Sequence, residues 1–257
     1  MRYALTIQYD GRFFSGSQLQ DIKSTDKNNK SVRTVQEELE KALCTLIKPK
    51  IKTKRPIKTV FSGRTDKGVS AEGQVVHFDC EDVLVASKFL RSINGILPND
   101  ISVSEIKSVA KMFHAQKSAK LRHYRYKFIN REIRNVFDKD LLRVSYSIDI
   151  QRMQTSLNYL LGEHDFSAFK SSGTLNPSKI CFIHKAICKK VGDEVVIDIA
   201  GNRFLYNMVR TIVGTLLEIE GHNLSSEHMK NVLDSKDRTK AGMTVSPLGL
   251  TLMKVVY

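Results

Sequence analysis

Apolar and polar residues alternate over the first ten positions of the chain, which predicts a β-strand there. Every second residue from Tyr3 to Tyr9 is apolar or aromatic and would share one face of that strand. An Asp10-Gly11 pair then indicates a turn, and a polar stretch rich in Lys and Asn follows at about residues 21–31. The sequence opens with neither an apolar signal core nor an Arg/Ser-rich presequence, and it holds no apolar run as long as a membrane span.

The next pattern is helical. Apolar residues recur at helical spacing from Val35 to about Lys48, and the preceding Thr34-Val-Gln-Glu37 has the form of a capping box. Six cations then fall within the eleven residues 48–58, which is too dense a charge for a core. This run is either a solvated loop or one that contacts phosphates.

Later strands and helices occur in similar proportion in both halves of the chain, which predicts the α+β class. The first half continues with a strand at 73–79, a helix at about 86–95 and a strand near 101–107. Strands in the second half are predicted at 120–128, about 141–148, near 181–190, 194–200 and 250–256. Helices there are predicted at about 151–161, closed by Gly162, at about 203–220, stopped by Gly221, and near 226–234. We expect two related lobes, residues 1–110 and residues 111–257.

The amino-acid composition indicates the size of the core and the kind of partner the protein would bind. The 257 residues are 41% hydrophobic, enough for a substantial core. Lys and Arg total 41 against 27 Asp and Glu, a net charge of +14, so a polyanion is the first partner to consider, although a charged surface also serves solubility.

Cysteines argue against a disulfide framework or a zinc ribbon. The four are widely spread and form no C-x-x-C pair, which suits a cytosolic protein. Cys181, His184 and Cys188 are soft ligands, but their offsets would scatter them to both faces of a strand, and no fourth ligand is evident. No metal site is predicted.

The stretch Phe61-Ser-Gly-Arg-Thr-Asp-Lys-Gly-Val-Ser70 holds one carboxylate, Asp66, between two cations and two glycines. The glycines would let the backbone turn sharply and hold the carboxylate at a loop tip. Arg64 and Lys67 would favour the ionised carboxylate, which suits a nucleophile or electrostatic stabiliser, and both would attract phosphates. Taken alone, an Asx turn with flanking cations explains this loop equally well.

Two further features change that balance. In the strand at 120–128, aromatic residues including Tyr124 share one face and cations occupy the other, so rings could stack on bases while cations hold phosphates. Burial in the sheet is the default for at least two of the three rings. Arg210 lies among apolar helix neighbours, with Gly214 one turn on. If buried, it needs an anionic partner, for which Asp66 is the candidate; at an exposed helix edge it needs none.

Several of these segments form ordered motifs that extend over nearly the entire chain. They include Gly63-Arg-Thr-Asp-Lys-Gly-Val69, Gly73-Gln-Val-Val-His-Phe78, Phe113-His-Ala115, Tyr124-Arg-Tyr126, His164-Asp-Phe166, Met208-Val-Arg-Thr-Ile-Val-Gly214 and Asp237-Arg-Thr239. In these motifs the sequence resembles the TruA-type tRNA pseudouridine synthases.

The resemblance implies the pseudouridine synthase fold, in which two similar α+β lobes share a central, mostly antiparallel sheet with helices packed on it and an active-site cleft between them. It implies isomerisation of uridine to pseudouridine at positions 38, 39 and 40 of the tRNA anticodon stem-loop, with no cofactor, by a cytoplasmic homodimer. By motif match, Asp66 is the nucleophile, Tyr124 lies against the target base, Arg210 pairs with the aspartate, and Arg64 helps to bring the nucleotide out of the stack. Arg64 and Lys67, the two cations beside Asp66, are both expected to bind substrate.

Three positions depart from the family pattern. Ser17 stands where a Trp is expected, Ser70 where a His is common, and Gln116 where an Arg often follows. We expect the first change to remove an apolar anchor and leave the early loop more mobile. The other two are expected to weaken phosphate or substrate contacts.

Two other function classes remain open on the sequence. A noncatalytic RNA-binding or RNA-folding protein would keep the fold and the basic charge, but it would gain nothing from the Asp66 anion among its cations. A ribosyl-transferring or glycoside-cleaving enzyme would use Asp66 with a second acid, for which Asp198 is the one candidate.

Overall fold

The computed structural model describes residues 1–19, 33–48, 57–138, 140–172 and 178–257. Contacts divide the chain into two compact units, and each holds both strands and helices, so the predicted α+β class is confirmed. The polar stretch at 21–31 and most of the cationic run at 48–58 lie outside the described residues. Among the described helices, none is long and apolar enough to cross a membrane.

The first unit comprises residues 1–119 with 252–255 and 257. Its elements are β1 (Arg2–Tyr9), α1 (Val35–Ile47), β2 (Val60–Phe61), β3 (Ser70–Asp79), α2 (Ala86–Ile96) and β4 (Ile101–Val109). Strand β1 lies between β3 and β4 and is antiparallel to both, and β2 pairs with β3. The alternation that predicted β1 is confirmed, because Leu5 and Ile7 are fully buried.

Helix α1 begins where the capping box predicts. The Thr34 hydroxyl accepts a hydrogen bond from the backbone N–H of Glu37 at 3.2 Å. Val35, Leu39 and Leu43 form its fully buried face. The helix ends at Ile47, and the left-handed backbone of the following Lys48 (φ 50°) stops the helical repeat.

The second unit comprises residues 120–251 with Val256. Its elements are β5 (Leu121–Asn130), β6 (Leu142–Val144), α3 (Ile150–Asn158), β7 (Gly162–Asp165), β8 (Ile180–Val191), β9 (Glu194–Gly201), α4 (Met208–Gly221) and α5 (Glu227–Ser235). The last strand, β10 (Leu250–Val256), has the predicted bounds and contributes residues to both units. Antiparallel pairing gives the order β5-β9-β8-β7, with β6 parallel to β5.

Three boundaries in this unit differ from prediction. Helix α3 ends at Asn158, because the N–H groups of Leu160 and Leu161 bond three residues back, to Leu157 and Asn158, and the coil tightens into a turn. Gly162 (φ +94°) then opens strand β7, which the sequence did not predict. Helix α4 begins at Met208, five residues later than predicted, because Asn207 before it has a left-handed backbone. Strand β6 spans only three residues and is shorter than the strand predicted at about 141–148.

One buried imidazole makes the stability of the first unit depend on pH. His77 on β3 is 5% exposed, lies against the rings of Phe113 and His114, and accepts a hydrogen bond from the N–H of Ala115 at 3.1 Å. Burial, with the nearby positive charge of Arg2, lowers its pKa from 6.5 to about 4.

We predict that the free energy of unfolding falls as the pH drops from about 6.5 to about 4. In that window the unfolded chain binds a proton at His77 that the folded chain does not, so the stability present above pH 6.5 is lost on acidification. Urea unfolding of the wild type and of His77→Gln across this range isolates the imidazole from the carboxylates. The variant should show a shallower pH dependence, and equal slopes would contradict the assignment.

Candidate active site

The loop between β2 and β3 carries Asp66 at a turn. Asp66 is half-buried, while Arg64 and Lys67 are exposed. The carbonyl of Asp66 accepts a hydrogen bond from the N–H of Val69 at 3.1 Å, and Gly68 (φ +84°) supplies the left-handed backbone that this turn requires. Gly63 is not needed in the same way, because its φ is not positive and a Cβ there would meet nothing within 4 Å.

The loop is braced from inside the unit at Thr65. The hydroxyls of Thr65 and Tyr9 share a hydrogen bond at 2.8 Å, and the N–H of Thr65 donates to Ser17 Oγ at 2.9 Å. Burial raises the pKa of Tyr9 to about 12, so its hydroxyl stays protonated. On the other side, the side-chain amide of Gln74 donates to the Gly63 carbonyl at 2.9 Å. These hydrogen bonds were not predicted from the sequence, in which the signal for them is that a buried Tyr hydroxyl needs a partner.

Ser17 and Ser70, two of the three departures from the family pattern, each bond to a neighbouring segment. Ser17 is fully buried and bonds to Thr65 through both its side chain and its backbone N–H, so the position has a polar anchor where an apolar one was expected. Ser70 Oγ accepts a hydrogen bond from the N–H of Gly11 at 3.0 Å. It thereby ties the start of β3 to the turn after β1.

Tyr124 is the most accessible of the aromatic residues on its face of β5. It is 9% exposed, whereas Tyr126 and Phe128 are fully buried, so two of the three rings belong to the core as predicted. The Phe204 ring meets Tyr124 edge-on, with centroids 5.1 Å apart and planes at 82°. This contact fixes the tilt of the Tyr124 ring.

The opposite face of β5 pairs with Asp198 on β9. Arg125 Nε donates to Asp198 Oδ1 at 2.9 Å, and His123 Nε2 lies 2.7 Å from the same oxygen. Burial alone would raise the pKa of Asp198, but these hydrogen bonds outweigh it and hold the pKa below its usual value. A carboxylate held in its ionised form is unsuited to donate a proton, so these contacts give no support to Asp198 as a second catalytic acid.

Arg210 on α4 is half-buried and held by two oxygen acceptors. Its Nε donates to the carbonyl of Val245 at 2.8 Å, and its Nη1 donates to Asn207 Oδ1 at 2.7 Å. The Val245 segment reaches Arg210 because Gly214 lets it pass, since a Cβ at Gly214 would lie 1.7 Å from the Met243 carbonyl oxygen. Gly214 therefore permits the close approach of this segment to α4.

Metal chemistry gains no support from the described part of the chain. Cys181 and Cys188 are buried on one face of β8, while His184 is exposed. Burial raises the pKa of the two thiols to about 11 and about 12, which disfavours the thiolates that bind metals. Within the described ranges, no three His, Cys, Asp or Glu side chains are grouped to hold a metal ion.

The candidate residues fall into two groups. Arg64, Asp66 and Lys67 lie on one loop of the first unit. Tyr124 and Arg210 lie in the second unit, on β5 and on α4, which packs against β5.

Comparison with known proteins identifies the family. A family model described as tRNA pseudouridine synthase matches residues 157–257. The tRNA pseudouridine synthase A of Bacillus licheniformis is 38% identical over 258 aligned residues, covering 100% of this chain and 99% of the relative. This chain belongs to the tRNA pseudouridine synthase family. The synthase A of Bacillus subtilis is 39% identical over 100% of this chain, and that of a Thermoanaerobacter species 38% over 98%.

Membership in the tRNA pseudouridine synthase family confirms the expected fold family and reaction class, because pseudouridine synthases are isomerases. Coverage of 98–99% of these three relatives shows that the likeness extends over the length of a synthase. It therefore includes both units, whereas the family model alone matches part of the second unit and only the last few residues of the first.

We predict that Asn207 is needed to orient Arg210. Asn207→Gly and Asn207→Ala both remove the acceptor of Arg210 Nη1 and should slow uridine isomerisation similarly, by about tenfold. Ala is strained in the left-handed backbone at position 207 (φ +61°), whereas Gly is not. The free energy of unfolding of Asn207→Ala should therefore be about 1 kcal/mol lower than that of Asn207→Gly. Turnover and urea unfolding are measured together. Wild-type turnover in Asn207→Gly would contradict the prediction.

Proposed function

We propose that this protein isomerises uridine to pseudouridine at positions 38, 39 and 40 of the tRNA anticodon stem-loop. The observation that carries the proposal is the full-length similarity to tRNA pseudouridine synthase A, together with Asp66 at the tip of a braced loop. The same proposal makes the protein a cytoplasmic homodimer. Substrate and product are isomers, so the reaction consumes no oxidant, reductant or co-substrate, and the proposal includes no cofactor.

The reaction breaks the bond between uracil N1 and the sugar C1′, turns the base while it is held, and joins C5 to C1′. The proton on C5 is lost and N1 gains one, so atoms and charge balance. The base must first leave the stack. In the proposal, Asp66 acts as a carboxylate close to the sugar. It either adds to C1′ or removes a sugar proton to give a glycal, and both routes need the ionised acid.

Tyr124 is proposed to lie against the flipped uracil. The edge-on contact with Phe204 fixes the orientation of the ring on which a base would stack. Stacking of this kind does not distinguish one base from another. Its hydroxyl is proposed to help remove the C5 proton. Sequence specificity then depends on the shape of the tRNA and on phosphate contacts.

The cations have separate proposed roles. Arg210, held by Val245 and Asn207, is the proposed partner of the catalytic carboxylate. Arg64 is proposed to help the nucleotide out of the stack, and Lys67 to bind a phosphate; both are exposed on the Asp66 loop. The net charge of +14 favours association with a polyanion such as tRNA.

A noncatalytic RNA-binding protein is the weaker candidate. Such a protein would bind phosphates better without a carboxylate among its cations, yet the fold places hydrogen bonds around the residue next to that carboxylate. The full-length relatives are named as synthases, which also favours catalysis.

We predict that Asp66→Ala and Asp66→Asn both abolish isomerisation while tRNA binding stays within a few-fold. The assay is tritium release from C5-labelled uridine placed in turn at position 38, 39 or 40 of an anticodon-arm RNA. Asn keeps the size of the side chain and removes only the charge. Release by either variant at the wild-type rate would contradict the role of Asp66. No release by the wild type, with tight binding, would favour the noncatalytic reading.

We predict that Tyr124→Phe slows tritium release but leaves RNA affinity unchanged, because the ring and its contact with Phe204 are kept and only the hydroxyl is lost. Tyr124→Leu is the control that removes stacking as well, and it should also weaken binding. A Tyr124→Phe enzyme with wild-type turnover would exclude proton transfer by the hydroxyl.

A further inference from the structure

Thr65 directly precedes Asp66, and all of its polar groups are bonded inside the first unit. Its hydroxyl bonds to Tyr9, its N–H donates to Ser17 Oγ at 2.9 Å, and its carbonyl accepts from the N–H of Ser17 at 3.1 Å. Thr65 itself is 6% exposed. The carbonyl belongs to the peptide group that joins Thr65 to Asp66, so these bonds fix the plane from which the carboxylate residue begins.

Ser17 is in turn fixed by the start of α1. The N–H groups of Val35 and Gln36, which have no partner within the helix, donate to the carbonyls of Gly16 and Ser17 at 3.3 and 3.0 Å. Gly16 (φ +119°) lets the segment pass close to the loop, because a Cβ there would lie 3.2 Å from the Thr65 carbonyl oxygen. The helix start, the Gly16-Ser17 segment and the Asp66 loop are thus joined by hydrogen bonds.

We propose that Ser17 is a positioning residue for Asp66, acting through the backbone of Thr65. The inference rests on the proposed function. Ser17 touches no reacting atom in this scheme; its hydroxyl supplies the buried acceptor that the N–H of Thr65 needs. The Trp expected at this position from the family pattern has a side chain that only donates hydrogen bonds, so it could not serve the Thr65 N–H in this way. The brace therefore needs a side-chain acceptor at this position, which the Ser17 hydroxyl supplies.

The brace bears on turnover more than on RNA binding. A carboxylate displaced by a fraction of an ångström still presents its charge to the RNA, but it no longer meets the sugar at the required distance and angle. Arg64 and Lys67 are exposed, so we expect them to reach phosphates with or without the Ser17 hydroxyl. Loss of the hydroxyl should lower kcat and leave KM for the RNA unchanged.

The test compares Ser17→Ala with Asn94→Ala in the full-length enzyme. Asn94 Oδ1 accepts the N–H of Val103 at 2.8 Å, so its replacement also removes one side-chain acceptor from a backbone N–H of the first unit, between α2 and β4 and outside the proposed catalytic machinery. We expect Ser17→Ala to lower kcat about 10- to 100-fold with KM within about twofold. Asn94→Ala should keep the wild-type kcat, and thermal unfolding of both variants records the stability loss against which each kcat is compared. Ser17→Thr, which keeps the hydroxyl, should recover most of the turnover.

Tyr9→Phe covers the case in which Ser17→Ala does not fold, because it removes the hydroxyl that holds Thr65 on its other side and keeps the ring. It should likewise lower kcat and leave KM unchanged. Wild-type kcat in Ser17→Ala or Tyr9→Phe would overturn the proposal, as would an equal fall of kcat in Asn94→Ala. Wild-type tritium release is measured first: without it the proposed function fails, and with it these variants test positioning alone.

Discussion

The hydrogen bonds around Thr65 are the constraint on which this account of the protein depends. A loop that turns at Gly68 and carries exposed cations would otherwise leave Asp66 free to point in many directions. The fold prevents this at the preceding residue, where a buried N–H, carbonyl and hydroxyl each have a partner. Because an unsatisfied buried donor is costly, the loop geometry is enforced by the stability of the first unit itself.

The second unit uses a similar device for its candidate cation. A backbone carbonyl and a side-chain amide help to orient Arg210. The carbonyl belongs to a segment that packs against α4 so closely that only glycine fits at position 214. The amide belongs to Asn207, which has a left-handed backbone just before α4 begins. In both units, backbone features that leave no mark on hydrophobic periodicity orient the group proposed for chemistry.

Features that follow from local residue spacing could be predicted from the sequence, whereas contacts between distant backbone segments could not. The core face of β1, the helix that begins after Thr34 and the last strand follow from local spacing. Asp66 could be identified as a carboxylate between two cations, and Arg210 as a cation among apolar helix residues. The start of α4 was misplaced, because apolar residues continue through a backbone that is not helical. Ser17 was noticed only as a missing Trp, since its bond to Thr65 joins positions 48 apart in the chain.

Amide hydrogen exchange at Thr65 in the wild-type protein tests the central claim most directly. If Ser17 holds the Asp66 loop in one conformation, the Thr65 N–H should exchange as slowly as N–H groups in the middle of β3, such as that of Val76. The hydrogen bond of Thr65 would then break only when the first unit unfolds. Exchange of Thr65 at the rate of an exposed loop amide, with Val76 still protected, would show that the Asp66 loop moves independently and would contradict the account.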